Sequence, residues 1–444
     1  MKNRMAISFG LLALLMAMAY VCPLRAQAQV PPDTLDAQAS DPKVLGWMKG
    51  FPPPPDKLIR FSDDSFYRFP QFRWSFSHLR ELQPTANVSR GNKQVVSLPR
   101  AEIDLDRMPY TDANGVPRTW AEMLSLTYTD GMVVMHKGKI TYERYFGALE
   151  PQMPHAGYST TKSFIGTIAA ALADEGKLDV EALVPRYIPE LKNTAYADAT
   201  VRQLMDMLVG VKFSENYADP KAEVWDYARA GGVRATGPDY KGPRTYYEFL
   251  TTLQKQGEHG QAFAYKTANA EVLAWILRRV SGNSLAALMS ERIWQKIGAE
   301  DDAYFEVDSI GTEQGGGGIS TTLRDAARFG EMMRQNGRFN GQQVIPARVA
   351  EDIVRGGDKE KFAKAGYKTL PGFSYRSMWW VSGDSHGVFM ARGIHGNCIY
   401  IDPKAEMVIV RYASHPVAGN PYNDPVTLPA FRAMADHLMK LQEK

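Results

Sequence analysis

Apolar residues recur along this chain at two different spacings. Met132-Val133-Val134-Met135 and Ile140-Thr141-Tyr142-Glu143-Arg144-Tyr145 flank a Lys137-Gly138 turn and predict an antiparallel strand pair. From Ser159 the run STTKSFIGTIAAALADEGKLD changes to helical spacing. Thr200 is placed to cap a second helix reaching Leu208. Two more helices are predicted over 268–280 and from Thr322 through Met333. Residues 377–412 read as adjacent antiparallel strands, and 428–441 as a closing helix. Strands at both ends with helices between predict an α+β fold: an antiparallel sheet flanked by helices and completed by both termini, plus a mostly helical part at roughly 165–320. Residues 209–245, rich in Gly, Pro, Asp and Tyr, predict a long ordered loop, a kind of segment that often carries function.

The N-terminus changes this picture only outside the body. Lys2 and Arg4 precede an apolar stretch over 6–21, and Ala26-Gln27-Ala28 supplies a cleavage pattern, so residues 1–28 read as a signal peptide. The expectation is a periplasmic or secreted bacterial protein with no stable membrane anchor after cleavage. Residues 29–57 read as an extended Pro-rich leader ending in Phe51-Pro52-Pro53-Pro54-Pro55. The aromatics of 61–78 are expected to pack it onto the body, which spans 58–444. Of two cysteines, Cys22 leaves with the signal and Cys398 remains, so no intrachain disulfide is expected. The composition, 44% hydrophobic and 23% charged, is ordinary for a globular chain. A net charge of +3 with no basic run argues against a nucleic-acid partner. The chain leaves a homodimer open.

Candidate chemistry begins at Ser159-Thr160-Thr161-Lys162. Residues three apart share a helix face, so a lysine placed there can take the serine proton if burial keeps it partly neutral. Tyr265 in Phe263-Ala264-Tyr265-Lys266-Thr267 opens a predicted helix and suits proton relay if nearby cations favour its phenolate. Met390-Ala391-Arg392-Gly393-Ile394-His395-Gly396-Asn397 is a strand end whose free N–H groups suit an oxyanion hole. His395 raises a Ser-His-Asp reading, but Lys162 already holds the base position. Gly157-Tyr158-Ser159 starts like a nucleophile elbow, yet Thr161 stands where that motif needs glycine. The eight histidines lack metal-ligand spacing, so no metal is expected, and no cofactor is called for. Gly315 to Gly318 reads as a tight turn, since no Gly-Lys-Ser/Thr follows.

In order and spacing these motifs resemble the serine β-lactamase and penicillin-binding-protein superfamily, closest to its class C and esterase branch. Further stretches, Phe213-Ser214-Glu215-Asn216-Tyr217-Ala218-Asp219-Pro220, 268–276, Met378-Trp379-Trp380 and 393–397, resemble the 6-aminohexanoate-dimer hydrolases and related carboxylesterases, from about Gly46 to the C-terminus. The resemblance implies a β-lactamase/transpeptidase-like fold and an amidase or esterase acting through an acyl-enzyme on a small amide or ester. It implies Ser159 as nucleophile, Lys162 as base and Tyr265 as relay and leaving-group acid. It places the backbone N–H groups of Ser159 and Ile394 in the oxyanion hole, with Tyr217 on the scissile nitrogen and Trp380, Gly393 and His395 against the substrate. Two departures stand out. Ala391-Arg392-Gly393 replaces the usual Lys-Thr-Gly, leaving Arg392 or His395 to supply the charge, and Thr267 stands where the second motif often has Asn, with Asn269 two residues further on. β-Lactamase activity is therefore expected to be weak or absent. Alternatives are a peptidase acting on D-amino-acid cell-wall peptides, or a ligand-binding module on the same scaffold.

Overall fold

The computed structural model describes residues 33–441; the segment read as a signal peptide, the first leader residues and the last three residues lie outside these. Met132, Val133, Val134 and Met135 are all fully buried. Successive side chains of a strand point to opposite faces, so both faces of this strand are covered. It forms Thr129–His136 and lies between Lys139–Tyr145 and Met407–Ala413, with Val134 opposite Ile409. The seven-stranded antiparallel sheet continues through Cys398–Asp402, Phe389–Arg392 and Trp379–Val381 to Ser374–Arg376 at its edge. Both ends of the body thus build one sheet, as the strand positions predict.

Helices cover its two faces. On one, Leu323–Arg334 approaches so closely that a Cβ on Gly330 would meet Val408 Cγ1 at 2.6 Å. On the other, Tyr400 meets Phe431 of the Asp424–Lys440 helix, ring centroids 5.3 Å apart. The middle of the chain holds Thr160–Asp174, Val201–Met205, Tyr246–Thr251 and Thr267–Ser281, all helical. A smaller sheet runs in the order Thr85–Val88, Ala303–Glu306, Ile319–Thr321, His155–Ala156.

Three expectations are corrected. The helix capped by Thr200 stops at Met205, because Met207 turns to a φ of 54° and the Asp206 carboxylate is taken by the Ser377 N–H and Arg376. The 209–245 loop contains a helix, Glu223–Ala230, which buries Val224, Tyr227 and Ala228 at helical spacing. The leader is not uniformly extended. Pro54 has polyproline angles (φ −57°, ψ 145°), but Pro42–Leu45 is a helical turn and Ser40 is buried beneath Arg73, which donates to its Oγ at 2.8 Å. The aromatics of 61–78 do pack this arm down: Phe66, Phe72, Trp74 and Phe76 are buried, and Phe72 stacks on Phe76 at 4.7 Å. Tyr67 packs against this cluster and also lines a cavity beside Ser159.

Candidate active site

The turn before Ser159 is tightly constrained. A Cβ on Gly157 would come within 2.5 Å of Thr160 Oγ1, and Tyr158 lies at a φ of 46°, in the left-handed region that few non-glycine residues adopt. The ring of Phe76, 4.9 Å away, packs edge-on against Tyr158. This turn delivers Ser159 to the N-terminus of the Thr160–Asp174 helix. One turn on, Lys162 Nζ donates to Ser159 Oγ at 2.8 Å and to the Gly316 carbonyl at 2.5 Å. Lys162 is 1% exposed. Burial drives its pKa down to about 8, against the opposing pull of the Glu215 and Glu271 charges.

The acceptor for Lys162 is itself held in place. Glu271 takes the Tyr227 hydroxyl at 2.6 Å and the N–H groups of Gly315 and Gly316 at 3.1 and 2.5 Å. The glycine run is a tight turn, as the sequence predicts, and glycine is required: a Cβ on Gly316 would strike Thr267 Cγ2 at 2.4 Å. The sequence reading assigned Glu271 no role. An acidic residue inside an apolar helix was the available signal.

Tyr265 is brought to the same place. Lys162 Nζ lies 5.0 Å from its ring centroid, and Tyr265 lines one lobe together with Ser159. Burial, reinforced by the Glu215 charge, holds this phenol well above its ordinary pKa; Ser159 and Arg392 pull weakly the other way. Nearby cations therefore do not favour the phenolate, and Tyr265 rests as a neutral phenol. Trp380 stacks obliquely over it at 5.3 Å, while Trp379 points through the sheet and donates to Thr167 Oγ1 at 3.1 Å. Arg392 is buried, ion-paired with Asp424 and 5.3 Å from the Trp380 ring. Asp424 also accepts from Thr369 at 2.6 Å. The charge offered in place of the third-motif lysine is thus already neutralised.

The strand carrying Arg392 ends against the nucleophile. A Cβ on Gly393 would lie 2.4 Å from the Gly157 carbonyl and 3.3 Å from the Ser159 nitrogen. Among the described residues, neither the Ser159 nor the Ile394 N–H has a hydrogen-bond acceptor. His395 sits behind this wall at a φ of 61°, with Nδ1 on the His415 carbonyl at 2.7 Å and Nε2 3.4 Å from the Tyr67 hydroxyl. Burial pushes its pKa down to about 4. It borders an outer groove that reaches Tyr217, but neither lobe beside Ser159. Asn269 is fully buried under the helix, its Nδ2 3.7 Å from Met207 Sδ, and lines neither lobe.

Ser159, Tyr217 and Ile394 separate two lobes. One, of about 200 Å³, holds Tyr265, Trp380 and Arg392. The other, of about 80 Å³, holds Tyr67, Tyr227 and Glu306. Glu215 lines the larger lobe and accepts the Thr267 N–H. Nothing in the local sequence around Glu215 gives it a function. Among the described residues no cluster of three or more His, Cys, Asp or Glu could hold a metal, and no helix is long and apolar enough to cross a membrane.

Comparison with known proteins decides the family. Residues 129–428 match the beta-lactamase family. The chain belongs to it. Over 356 residues it is 35% identical to a 6-aminohexanoate-dimer hydrolase of Paenarthrobacter ureafaciens, covering 80% of this chain and 88% of that one. A Bacillus anthracis structure provisionally assigned as a 6-aminohexanoate-dimer hydrolase superposes with a TM-score of 0.79 at 33% identity, covering 87% of this chain and 99% of that one. The fold alone is shared with an octameric penicillin-binding-protein homologue from Pyrococcus abyssi, at a TM-score of 0.53 and 16% identity over 70% of this chain and 75% of that one. This beta-lactamase-family chain is a serine hydrolase with the β-lactamase/transpeptidase-like fold, as its motifs predict.

Proposed function

We propose that this beta-lactamase-family protein is a periplasmic or secreted hydrolase that cleaves linear amide or short-chain ester bonds through an acyl-enzyme on Ser159. The observation that carries the reading is the 2.8 Å contact from the buried Lys162 Nζ to Ser159 Oγ. A lysine with a pKa near 8 is neutral in roughly one molecule in ten at pH 7, enough to accept the serine proton as Oγ attacks the carbonyl. The oxyanion then faces the N–H groups of Ser159 and Ile394; each such donor contributes about 3–4 kcal/mol in comparable enzymes. The neutral Tyr265 phenol protonates the leaving nitrogen or oxygen and recovers its proton from Lys162. Tyr217 holds the scissile nitrogen, and Trp380 walls the larger lobe. Water then attacks the acyl-enzyme by the same base and releases the acid. His395, buried and neutral, orients the wall behind Ile394.

The Arg392–Asp424 pair supports weak or absent β-lactam hydrolysis, because a guanidinium already matched to a carboxylate binds a second one poorly. The test is intact mass after exposure to a fluorophosphonate. One stoichiometric adduct in the wild type and none in Ser159→Ala is the expected result. Equal labelling of both proteins, or of neither, removes Ser159 as nucleophile.

A further inference from the structure

The smaller lobe beside Ser159 contains a carboxyl and an amide without hydrogen-bond partners. Glu306 ends the Ala303–Glu306 strand and is 5% exposed, and among the described residues no hydrogen bond or ion pair engages its carboxyl. Gln83, 7% exposed, lies just before the strand that pairs with it. Its buried Nε2 donates to no acceptor. Both residues line the lobe. A buried polar group without a partner costs free energy that a well-matched ligand recovers. The one cation on the lobe wall is already engaged: the Arg234 guanidinium lies 3.9 Å from the Tyr67 ring, 4.9 Å from Trp225 and 3.8 Å from Asp64.

The side of the bond this lobe serves follows from Tyr265. The acid that protonates the leaving group lies in the larger lobe, so the smaller one receives the acyl chain. This assignment rests on the hydrolase reading given above. Its volume of about 80 Å³ holds two to three water-sized groups, so the chain it takes is short. Gln83 Nε2 requires an acceptor, which rules against an ammonium, a group with donors only. Glu306 offers its carboxyl to a donor. Burial alone pushes that carboxyl up to about 8, so it is neutral at pH 7 and does not call for a cation.

We propose that the lobe is an acyl-end subsite for a short chain terminating in an uncharged group that both donates and accepts hydrogen bonds, a hydroxyl or a carboxamide, held between Glu306 and Gln83. The test compares p-nitrophenyl esters of nearly equal size: butanoate, 3-hydroxypropanoate, malonamate and β-alaninate, with acetate as the substrate too short to enter the lobe. In the wild type the hydroxyl and carboxamide esters should exceed butanoate in kcat/KM by about tenfold or more, with β-alaninate below both. Within Glu306→Leu and within Gln83→Leu that ratio should fall toward one or invert, and Glu306→Gln should retain part of it. Reading a ratio inside each protein removes any difference in active fraction, and the wild-type series decides the matter even if a variant does not fold. Cleavage of acetate with butanoate or β-alaninate preferred, or with a hydroxyl preference that survives both leucine variants, overturns the subsite alone. No cleavage of any ester, acetate included, overturns the hydrolase reading and the subsite with it.

Discussion

Replacing Lys162 with methionine should destroy activity and, at neutral pH, make the protein more stable. The side chains are similar in length, so packing is nearly conserved. Lys162 titrates near 8 in the folded protein and at its ordinary 10.5 when exposed. That difference corresponds to roughly 3 kcal/mol by which burial disfavours the ammonium at pH 7. Against this, methionine leaves the Gly316 carbonyl without its donor, a loss of about 1–3 kcal/mol. The expected net gain at pH 7 is therefore on the order of 1 kcal/mol. The sign with pH is definite. Between pH 8 and 10.5 the unfolded chain binds a proton that the folded one does not, so wild-type stability rises with pH through that window relative to the variant. From pH 7 to pH 9.5 the variant's advantage should shrink by about 2 kcal/mol. Urea midpoints for both proteins across this range, compared at a common slope, measure it. The kcat/KM of the variant should fall by about 10²–10⁴ or more, as for loss of a general base. A stability difference that does not change with pH would refute the depressed lysine, and with it the identity of the base.

Tyr217→Phe should reduce amide hydrolysis more than ester hydrolysis, since an ester oxygen carries no N–H for the Tyr217 oxygen to accept; equal losses in kcat/KM on a matched amide and ester would remove this role. Glu271→Gln removes a negative charge that props up the Lys162 pKa, so the acid limb of kcat/KM against pH should move below its wild-type midpoint, which is expected near 8, while kcat falls as the Gly316 carbonyl loosens; an upward shift would contradict it. Gly393→Ala pushes a methyl to 2.4 Å from the Gly157 carbonyl, so the strand must retreat from the Ser159 N–H, and kcat should drop about 10²-fold or more with fluorophosphonate labelling slowed in parallel. Nitrocefin turnover should stay near background in the wild type, because Asp424 already occupies Arg392.

Much of the site was legible because it is local. Ser159 and Lys162 meet by helix periodicity alone, and Gly393 and Ile394 follow one another on a strand end. The Trp379–Trp380 alternation also follows from strand geometry, with Trp380 beside Tyr265 and Trp379 beneath the sheet. His395, expected against the substrate, borders only an outer groove, for the opposite reason. Its neighbours Phe72 and Phe76 come from more than three hundred residues away, and they bury it behind the wall. Whether cations favour a phenolate at Tyr265 was likewise not readable from local sequence. Lysine and arginine lie close to it in sequence or space, but desolvation exceeds their pull.

By itself the sequence determined the strand–helix–strand order, the shared sheet of the two ends and the Ser-Lys-Tyr set, because these depend on periodicity and on residue types at short spacing. Only the tertiary structure decided how far each group is desolvated and which distant partner it meets. It paired Arg392 with Asp424, tied Glu271 to the carbonyl that holds Lys162, and enclosed Glu306 and Gln83 in one small lobe. Burial and long-range pairing set the pKa values and the unsatisfied groups, and neither is encoded in any local run of residues.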